Sequence, residues 1–552
     1  MPNAFYRITC NRWAPAAAAA CLAIAIIGLL SVIVSRQRGN LAWDDADYLR
    51  RALANTRVAE SAGRVMAIPR ALGCLLHEHP KPPWLVAWIQ LGAIVLDRHR
   101  LGGLILHASV VPYALLLAAV VLIGKRLAGA WGGVLALVCL VSSPYSLAFG
   151  GKVMVETFLS LWVLIIFALT CRLLERPSRP RGMLLGIVVG LALMTKLTTI
   201  LFIPIPLAFA LAAVVRRRSD RLVLVKALAW SVLACGAVAT PWYALNAGRA
   251  IKFAQFSAKY NLIAEGRSDH VAVGQRLILM TADLPGWPLV VTMTCAGLYG
   301  VVADKRRRQG QQPFPGGSSP GHDAHPFAIM AWLGAGTAMV ILLFPTYFDA
   351  RFLLPIWPVL AVDLGGRLAA RFRRFPLIPA TALAAGLMVG VVSAASTVAS
   401  TPTITTYWNT AGLIDGLVRD YQIHTLGNVG CCAEWNVCKT GLINELRDQP
   451  ASCFVLHDLT KLRSDDAVRH LAQFDAIVVL GREHLPESRL KEAPGLNRSY
   501  GTIAEVLAKD PTFSRVAQPR SDGLPEISVY IHQRFRDRTE QLSRKQGRKR
   551  RS

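Results

Sequence analysis

Long apolar runs separated by short polar or basic connections dominate residues 1–400. The first, Trp13 to Ser35, is too long for a signal-peptide core and reads as a retained anchor. Further runs near 101–124, 129–149, 155–173, 183–199, 199–215, 222–246, 287–303, 327–345, 353–366 and 376–398 have the length to cross a hydrocarbon core of ~30 Å with about 20 residues each. The pattern predicts an α-helical polytopic membrane protein with about eleven transmembrane helices.

Basic clusters set the orientation. Arg7 and Arg12, Lys125 and Arg126, Arg172 to Arg181, Arg216 to Arg221, Lys305 to Arg308, and Arg367 to Arg374 occupy alternate connections, so all fall on one face when the N-terminus is cytoplasmic. The connections 36–100, 150–154, 247–286 and 346–352 then face outward, as does everything after about 400. Trp84 to Leu96 is too short for a span and follows Pro82-Pro83, which suits an interfacial or re-entrant helix. Together with two amphipathic segments, Asp45 to Arg57 and Ala62 to Leu76, it makes loop 36–100 a structured cap.

Residues 304–325, basic and then rich in Gly, Pro, Ser and Gln, read as a cytoplasmic linker. From about 402 the chain turns polar. Apolar strands at Ser452 to His457, Asp475 to Gly481 and Ile527 to His532, with a helix-like run 463–473, predict a small α/β extracytoplasmic domain. The expected organisation is a transmembrane domain over 1–400, the α/β domain over 401–535 and a basic tail over 536–552.

Composition narrows the class. Of 552 residues, 53% are hydrophobic and 17% charged, which excludes a disordered chain and argues against an ordinary soluble enzyme. A formal charge of +27 raises the question of nucleic acid, but the arginines sit between apolar runs, so membrane lipids are the expected partner and nucleic acid is not. Cys431, Cys432, Cys438 and Cys453 crowd into the tail, where an oxidising compartment would allow disulfides; their spacing does not match the common zinc pairs.

The outward face gathers the candidate chemistry. Asp44 and Asp45 follow the first span in Trp43-Asp-Asp-Ala-Asp-Tyr48, where one acid can cap a helix and another act as general base. In His77-Glu-His-Pro-Lys-Pro-Pro-Trp84 the prolines fix an extended path that holds Lys81 at the membrane boundary. The acid and histidines there are compatible with a divalent metal without requiring one, and a solvated cluster is the simpler reading. Glu156 opens a span, Lys196 ends one, and Arg351 lies in Tyr347-Phe-Asp-Ala-Arg-Phe-Leu-Leu-Pro355, all at outward ends. Lys226 and Asp363 fall near cytoplasmic ends and read as interfacial anchors.

The order and sidedness of these motifs, with Gly190-Leu-Ala-Leu-Met-Thr-Lys196 and Thr240-Pro-Trp-Tyr243, resemble the integral-membrane C-type glycosyltransferases, particularly the protein O-mannosyltransferase and lipid A aminoarabinose transferase branch. The likeness covers roughly residues 13–400. It implies transfer of a sugar from a polyprenyl phosphate to a lipid, glycan or protein acceptor on the outer face of a bacterial inner membrane, usually with inversion. On that resemblance Asp44 is the general base and Asp45 second, and Lys81, Lys196 and Arg351 bind the donor phosphate. Glu156 stands where such enzymes often carry an aspartate. Pro80 stands where relatives tend to carry a glutamate before the Lys-Pro-Pro turn, so a metal bound there in some of them is not implied here. Two rivals remain: a transporter or lipid flippase using Asp44 and Lys196 as relay or gate, and a non-catalytic scaffold for envelope polysaccharide.

Overall fold

The computed structural model describes residues 14–36, 43–61, 63–77, 81–96, 101–217, 219–264, 324–343, 350–372, 425–429, 455–458, 475–480, 505–516 and 527–534, with 392 and 471. The protein is a helical polytopic membrane protein. In chain order its helices are α1 (Ala14–Arg36), α2 (Trp43–Ser61), α3 (Gly63–His77), α4 (Trp84–Leu96), α5 (Leu101–Ala128), α6 (Ala130–Val141), α7 (Pro144–Gly150), α8 (Val155–Glu175) and α9 (Arg179–Thr195). They continue with α10 (Pro204–Arg216), α11 (Arg221–Ala264), α12 (Ala324–Leu343) and α13 (Trp357–Phe372).

Four described helices are long and apolar enough to span a membrane: Ala14–Ser35, Gly102–Ala128, Val155–Glu175 and Arg221–Phe253. Their outer surfaces expose Ile24 and Val232, and α10 exposes Val215, the pattern of lipid-facing helices. The expected spans 287–303 and 376–398 and the linker 304–325 fall largely or wholly outside the described residues.

Two expectations change. The run 129–149, read as one span, is α6 and α7 meeting at 83°. Ser142 Oγ donates to Val138 O at 2.8 Å, Ser143 caps α7 by accepting from Ser146 N, and Pro144 cannot continue the α6 ladder, so an apolar stretch of spanning length breaks at a polar hinge. The outward connection expected at 247–286 begins instead as helix, because α11 runs to Ala264 through residues with no proline or glycine after Gly248. The cap segments form helices as expected: α2 and α3 cover the amphipathic stretches, and α4 is a separate 13-residue helix.

Close packing depends on small residues. Added Cβ atoms at Gly182 and Gly186 of α9 would each lie 2.0 Å from a carbonyl oxygen of α11, Ala227 and Ser231 respectively. The spacing of four puts both on one helix face, so backbones approach where lipid supplies no hydrophobic drive for association. Gly365 of α13 meets Ala136 N of α6 in the same way, at 2.3 Å from an added Cβ. One core runs through α1, α2, α4, α5, α6, α8 and α13.

The described tail contains β1 (Thr425–Val429), β2 (Val455–Asp458), β3 (Ala476–Leu480), β4 (Phe513–Val516) and β5 (Ile527–His532), in the sheet order β2-β1-β3-β5-β4. The first three are mutually parallel and β5 runs antiparallel to β3 and β4. Parallel neighbours require crossover connections, in keeping with α/β character. β1 and β4 were not among the expected strands, and the expected helix 463–473 lies outside the described residues apart from Leu471. The four tail cysteines also lie outside them.

Candidate active site

Glu156 and Lys196 meet although 40 residues separate them. α8 and α9 are antiparallel, so the start of one lies beside the end of the other. Glu156 occupies the first turn of α8, where the helix dipole favours a carboxylate. Lys196 is the C-cap of α9, in extended conformation before the 3₁₀ turn Leu197–Leu201. Its Nζ lies 2.6 Å from Glu156 Oε1, and the Glu156 residue is 2% exposed. Thr199 Oγ1 lies 2.7 Å from Ala192 O and 2.6 Å from Lys196 O, within donating distance of either, and Trp162 Nε1 donates to Thr195 Oγ1, which fixes the backbone on both sides of Lys196.

A third segment closes on this pair. Lys196 Nζ lies 4.9 Å from the centre of the Phe352 ring, and Arg351 Cζ 5.4 Å from the same ring. The 3₁₀ turns Ala350–Phe352 and Leu354–Ile356 are tied to α8 by Ser160 Oγ, which lies 2.8 Å from Glu156 O and 3.2 Å from Leu354 O. Glu156, Lys196 and Arg351, singled out separately in the sequence, therefore belong to one cluster.

Lys81 lies in a second cluster, on the cap. Its Nζ is 3.7 Å from Asp47 Oδ2 and sits over the rings of Tyr48 and Phe253 at 5.2 and 5.8 Å. Asp47 also takes Arg50 at 3.2 Å and Arg51 at 3.6 Å, so three cations surround one buried carboxylate. Asp47 escaped the sequence reading. The available signal was its place in Asp-Asp-Ala-Asp, four residues before Arg51 and so on the same helix face. Asp44 and Asp45 belong to the first turn of α2, three and two residues before Asp47, and their side chains lie outside the described residues.

Aromatic rings join the two clusters. Trp84, which opens α4 just after Lys81-Pro-Pro, packs edge-on to Phe158 and Trp162 of α8 at 6.0 and 5.8 Å. Trp162 in turn holds Thr195 beside Lys196. α4 is locked to α5 by a reciprocal pair in which Trp88 Nε1 donates to His107 O and His107 Nε2 lies 3.0 Å from Trp88 O, with the rings stacked. Among the described residues no group of three or more His, Cys, Asp or Glu side chains is arranged to hold a metal; the His77 side chain, Glu78 and His79 lie outside them. Lys226 is exposed, and Asp363 pairs with Arg367 at 2.8 Å while accepting from Trp332 Nε1.

Together the two clusters set five cations, Arg50, Arg51, Lys81, Lys196 and Arg351, against Asp47 and Glu156. That excess of fixed positive charge suits an anion such as phosphate, and cations held in place stabilise charge that develops on a leaving phosphate.

Residues 80–243 match the family model of dolichyl-phosphate-mannose-protein mannosyltransferases. The matched stretch holds Lys81, Glu156 and Lys196. The fold is similar to the crystal structure of ArnT from Cupriavidus metallidurans in the apo state, with 14% identity and a TM-score of 0.54 over 93% of this chain and 97% of that one. The same protein bound to undecaprenyl phosphate matches at 14% identity with a TM-score of 0.52, over 92% and 97% of the two chains. The Archaeoglobus fulgidus oligosaccharyltransferase in complex with zinc and sulfate matches at 15% identity and a TM-score of 0.51, over 86% and 70%. No curated protein matches the chain. The family match is thus confined to 80–243, while the likeness in fold extends over most of the chain.

Proposed function

We propose that the protein is a glycosyltransferase that moves a sugar from a polyprenyl-phosphate donor to a lipid, glycan or protein acceptor at the outer face of a bacterial inner membrane. The observation that carries this reading is the convergence of Glu156, Lys196 and Arg351 from three distant segments, joined through Trp84 and Trp162 to Lys81, within an ArnT-like fold. ArnT is known bound to undecaprenyl phosphate, a single phosphate on a long apolar chain. A cationic cluster at the end of apolar helices suits both halves of such a donor.

In this mechanism Lys81, Lys196 and Arg351 hold the donor phosphate and stabilise the charge it gains as the glycosidic bond breaks. Asp44 takes the proton from the attacking acceptor group as that group bonds to the anomeric carbon, with inversion. A separation of three residues puts position 44 on the helix face of Asp47 and Arg51. Asp45 is the second candidate base, and Glu156 acts through Lys196. We place the N-terminus in the cytoplasm, the transmembrane unit over 1–400 and the α/β domain of 401–535 in the periplasm, followed by the basic tail 536–552.

The test is transfer of radiolabelled sugar from a polyprenyl-phosphate donor by the purified full chain in lipid nanodiscs. Asp44→Asn should lower turnover by at least about a hundredfold, the scale of a lost general base, while binding of undecaprenyl phosphate persists. Wild-type turnover in that variant would remove Asp44 from the mechanism. Uptake or lipid flipping without a glycosylated product would favour a transporter instead.

A further inference from the structure

Behind the Asp47–Lys81 pair, the buried polar side chains of α2 continue beyond the phosphate cluster. Arg51 and Asn55 are each 3% exposed, and with Asp47 they repeat every four residues, forming one stripe along the helix. Gln90 of α4 is equally buried. α2 and α4 pack together and run in the same direction, because Lys81 brings the start of α4 to the start of α2. With a common rise of ~1.5 Å per residue, Gln90 and Asn55 lie at about the same depth. Trp84, Trp88 and Gly92 turn towards α8 and α5, so Val86, Gln90 and Ala93 occupy the remaining buried side of α4, next to α2.

Arg51 Nη1 is ion-paired with Asp47 at 3.6 Å, whereas Arg51 Nε, Asn55 Nδ2 and both Gln90 amide atoms are buried without a hydrogen-bond partner. Thr56, on the same helix, behaves as a satisfied core residue does, donating to Ala52 O at 2.8 Å. More than about nine in ten buried polar groups in folded proteins find a partner, so three side chains from two helices failing together mark a place where a partner belongs. The inventory is mostly donors with one acceptor, the complement of sugar hydroxyls, whose oxygens accept and whose hydrogens donate.

We propose that Arg51, Asn55 and Gln90 form a saccharide subsite between α2 and α4, entered from the Lys81 end, that recognises the hydroxyl groups of a glycosyl unit. The proposal rests on the glycosyltransferase reading and extends it from Arg51, a member of the cationic cluster around Asp47, to Asn55 and Gln90. Occupying the subsite requires α2 to part from α4, so sugar binding is coupled to movement of the cap. The hydroxyls come either from the donor's sugar or from a saccharide acceptor.

The experiment uses the full chain in nanodiscs, with Asn55→Leu and Gln90→Leu as variants. Probes are undecaprenyl phosphate, the same lipid carrying mannose, glucose, galactose or N-acetylglucosamine, and the four free methyl glycosides added to protein loaded with undecaprenyl phosphate. For a donor subsite, wild type binds at least one sugar-bearing lipid more tightly than the bare one. Each variant then loses about tenfold for that lipid and stays within about twofold of wild type for undecaprenyl phosphate. For an acceptor subsite, a methyl glycoside binds the loaded wild type and the variants lose it. In both cases Tm is at or above wild type, because an apolar side chain removes an unmatched buried group. The proposal is overturned if wild type shows neither preference, if the variants retain it, or if their Tm falls by more than about 3 °C, the mark of a structural role. Failure of wild type to bind undecaprenyl phosphate at all would instead strike the phosphate site itself.

Discussion

At the residue scale, the Glu156–Lys196 pair connects stability to binding. The two groups lie 2.6 Å apart and Glu156 is 2% exposed, so removing one partner strands the other. Lys196→Ala should destabilise the chain by about 3–5 kcal/mol, the cost of an uncompensated buried charge, and Glu156→Gln in the same chain should recover most of it. Denaturation of the two variants and the double variant in detergent measures this. Glu156→Gln alone should raise affinity for undecaprenyl phosphate on the order of tenfold, since a negative charge beside the phosphate-holding cation disappears. Lower affinity would mean that Glu156 is needed to orient Lys196. These residues were legible in the sequence because a charge in an apolar run is costly and therefore conspicuous. Asp47 was not. It sits in a polar helix beside Asp44 and Asp45, and composition does not say which of three neighbouring acids turns inward.

At the scale of elements, glycine contacts set how close the helices come. An added Cβ at Gly186 would lie 2.0 Å from Ser231 O, an atom of the α11 backbone that cannot rotate away. Gly186→Ala should therefore cost about 1–3 kcal/mol through overpacking. Gly248→Ala on α11, where nothing lies within 4 Å, should gain the usual helix preference of about 0.5–1 kcal/mol. Thermal unfolding of the two single variants decides between packing and propensity. Outside the membrane-spanning segments, burial and the nearby Arg534 lower the pKa of His532 on β5 from 6.5, against the opposing pull of Asp510 and Asp475. The unfolded chain then binds a proton that the folded sheet resists. The contribution is present above pH 6.5 and is lost as pH falls from there through the lower folded value. The protection factors of the β5 amides, taken after correction for the intrinsic slowing of exchange at low pH, should fall on acidification, and His532→Gln should flatten that dependence. The helices were legible by length, but the α6–α7 bend was not, because Ser142-Ser143-Pro144 interrupts the apolar run too briefly to shorten it. β1, Thr-Leu-Gly-Asn-Val, lacks both alternation and a continuous apolar run, so nothing local announces it; its pairing with β2 and β3 does.

For the whole molecule, α8 acts as a ruler. Its 21 residues span about 31 Å at ~1.5 Å each, close to a hydrocarbon core of ~30 Å. At its start stand Glu156, Lys196, Phe352 and Arg351. At its end Arg126 pairs with Glu175 at 3.2 Å, and Arg217 donates to Leu174 O. The fold thus separates the candidate pocket from the basic connections by the thickness of a bilayer, which is the arrangement that alternating arginine-rich loops predict when they stay in the cytoplasm. Single cysteines at Lys152, beside the pocket end, and at Arg179, at the start of α9, should label from opposite sides of sealed inner-membrane vesicles. In a chain with Cys21, Cys74, Cys139, Cys171, Cys235 and the six remaining cysteines replaced by serine, an impermeant maleimide should reach position 152 from the periplasmic side and position 179 from the cytoplasmic side. Labelling of both from one side would break the link between the helical frame and the pocket. Exchanged sides would keep that link but turn the pocket to the cytoplasm, away from an outer-leaflet donor.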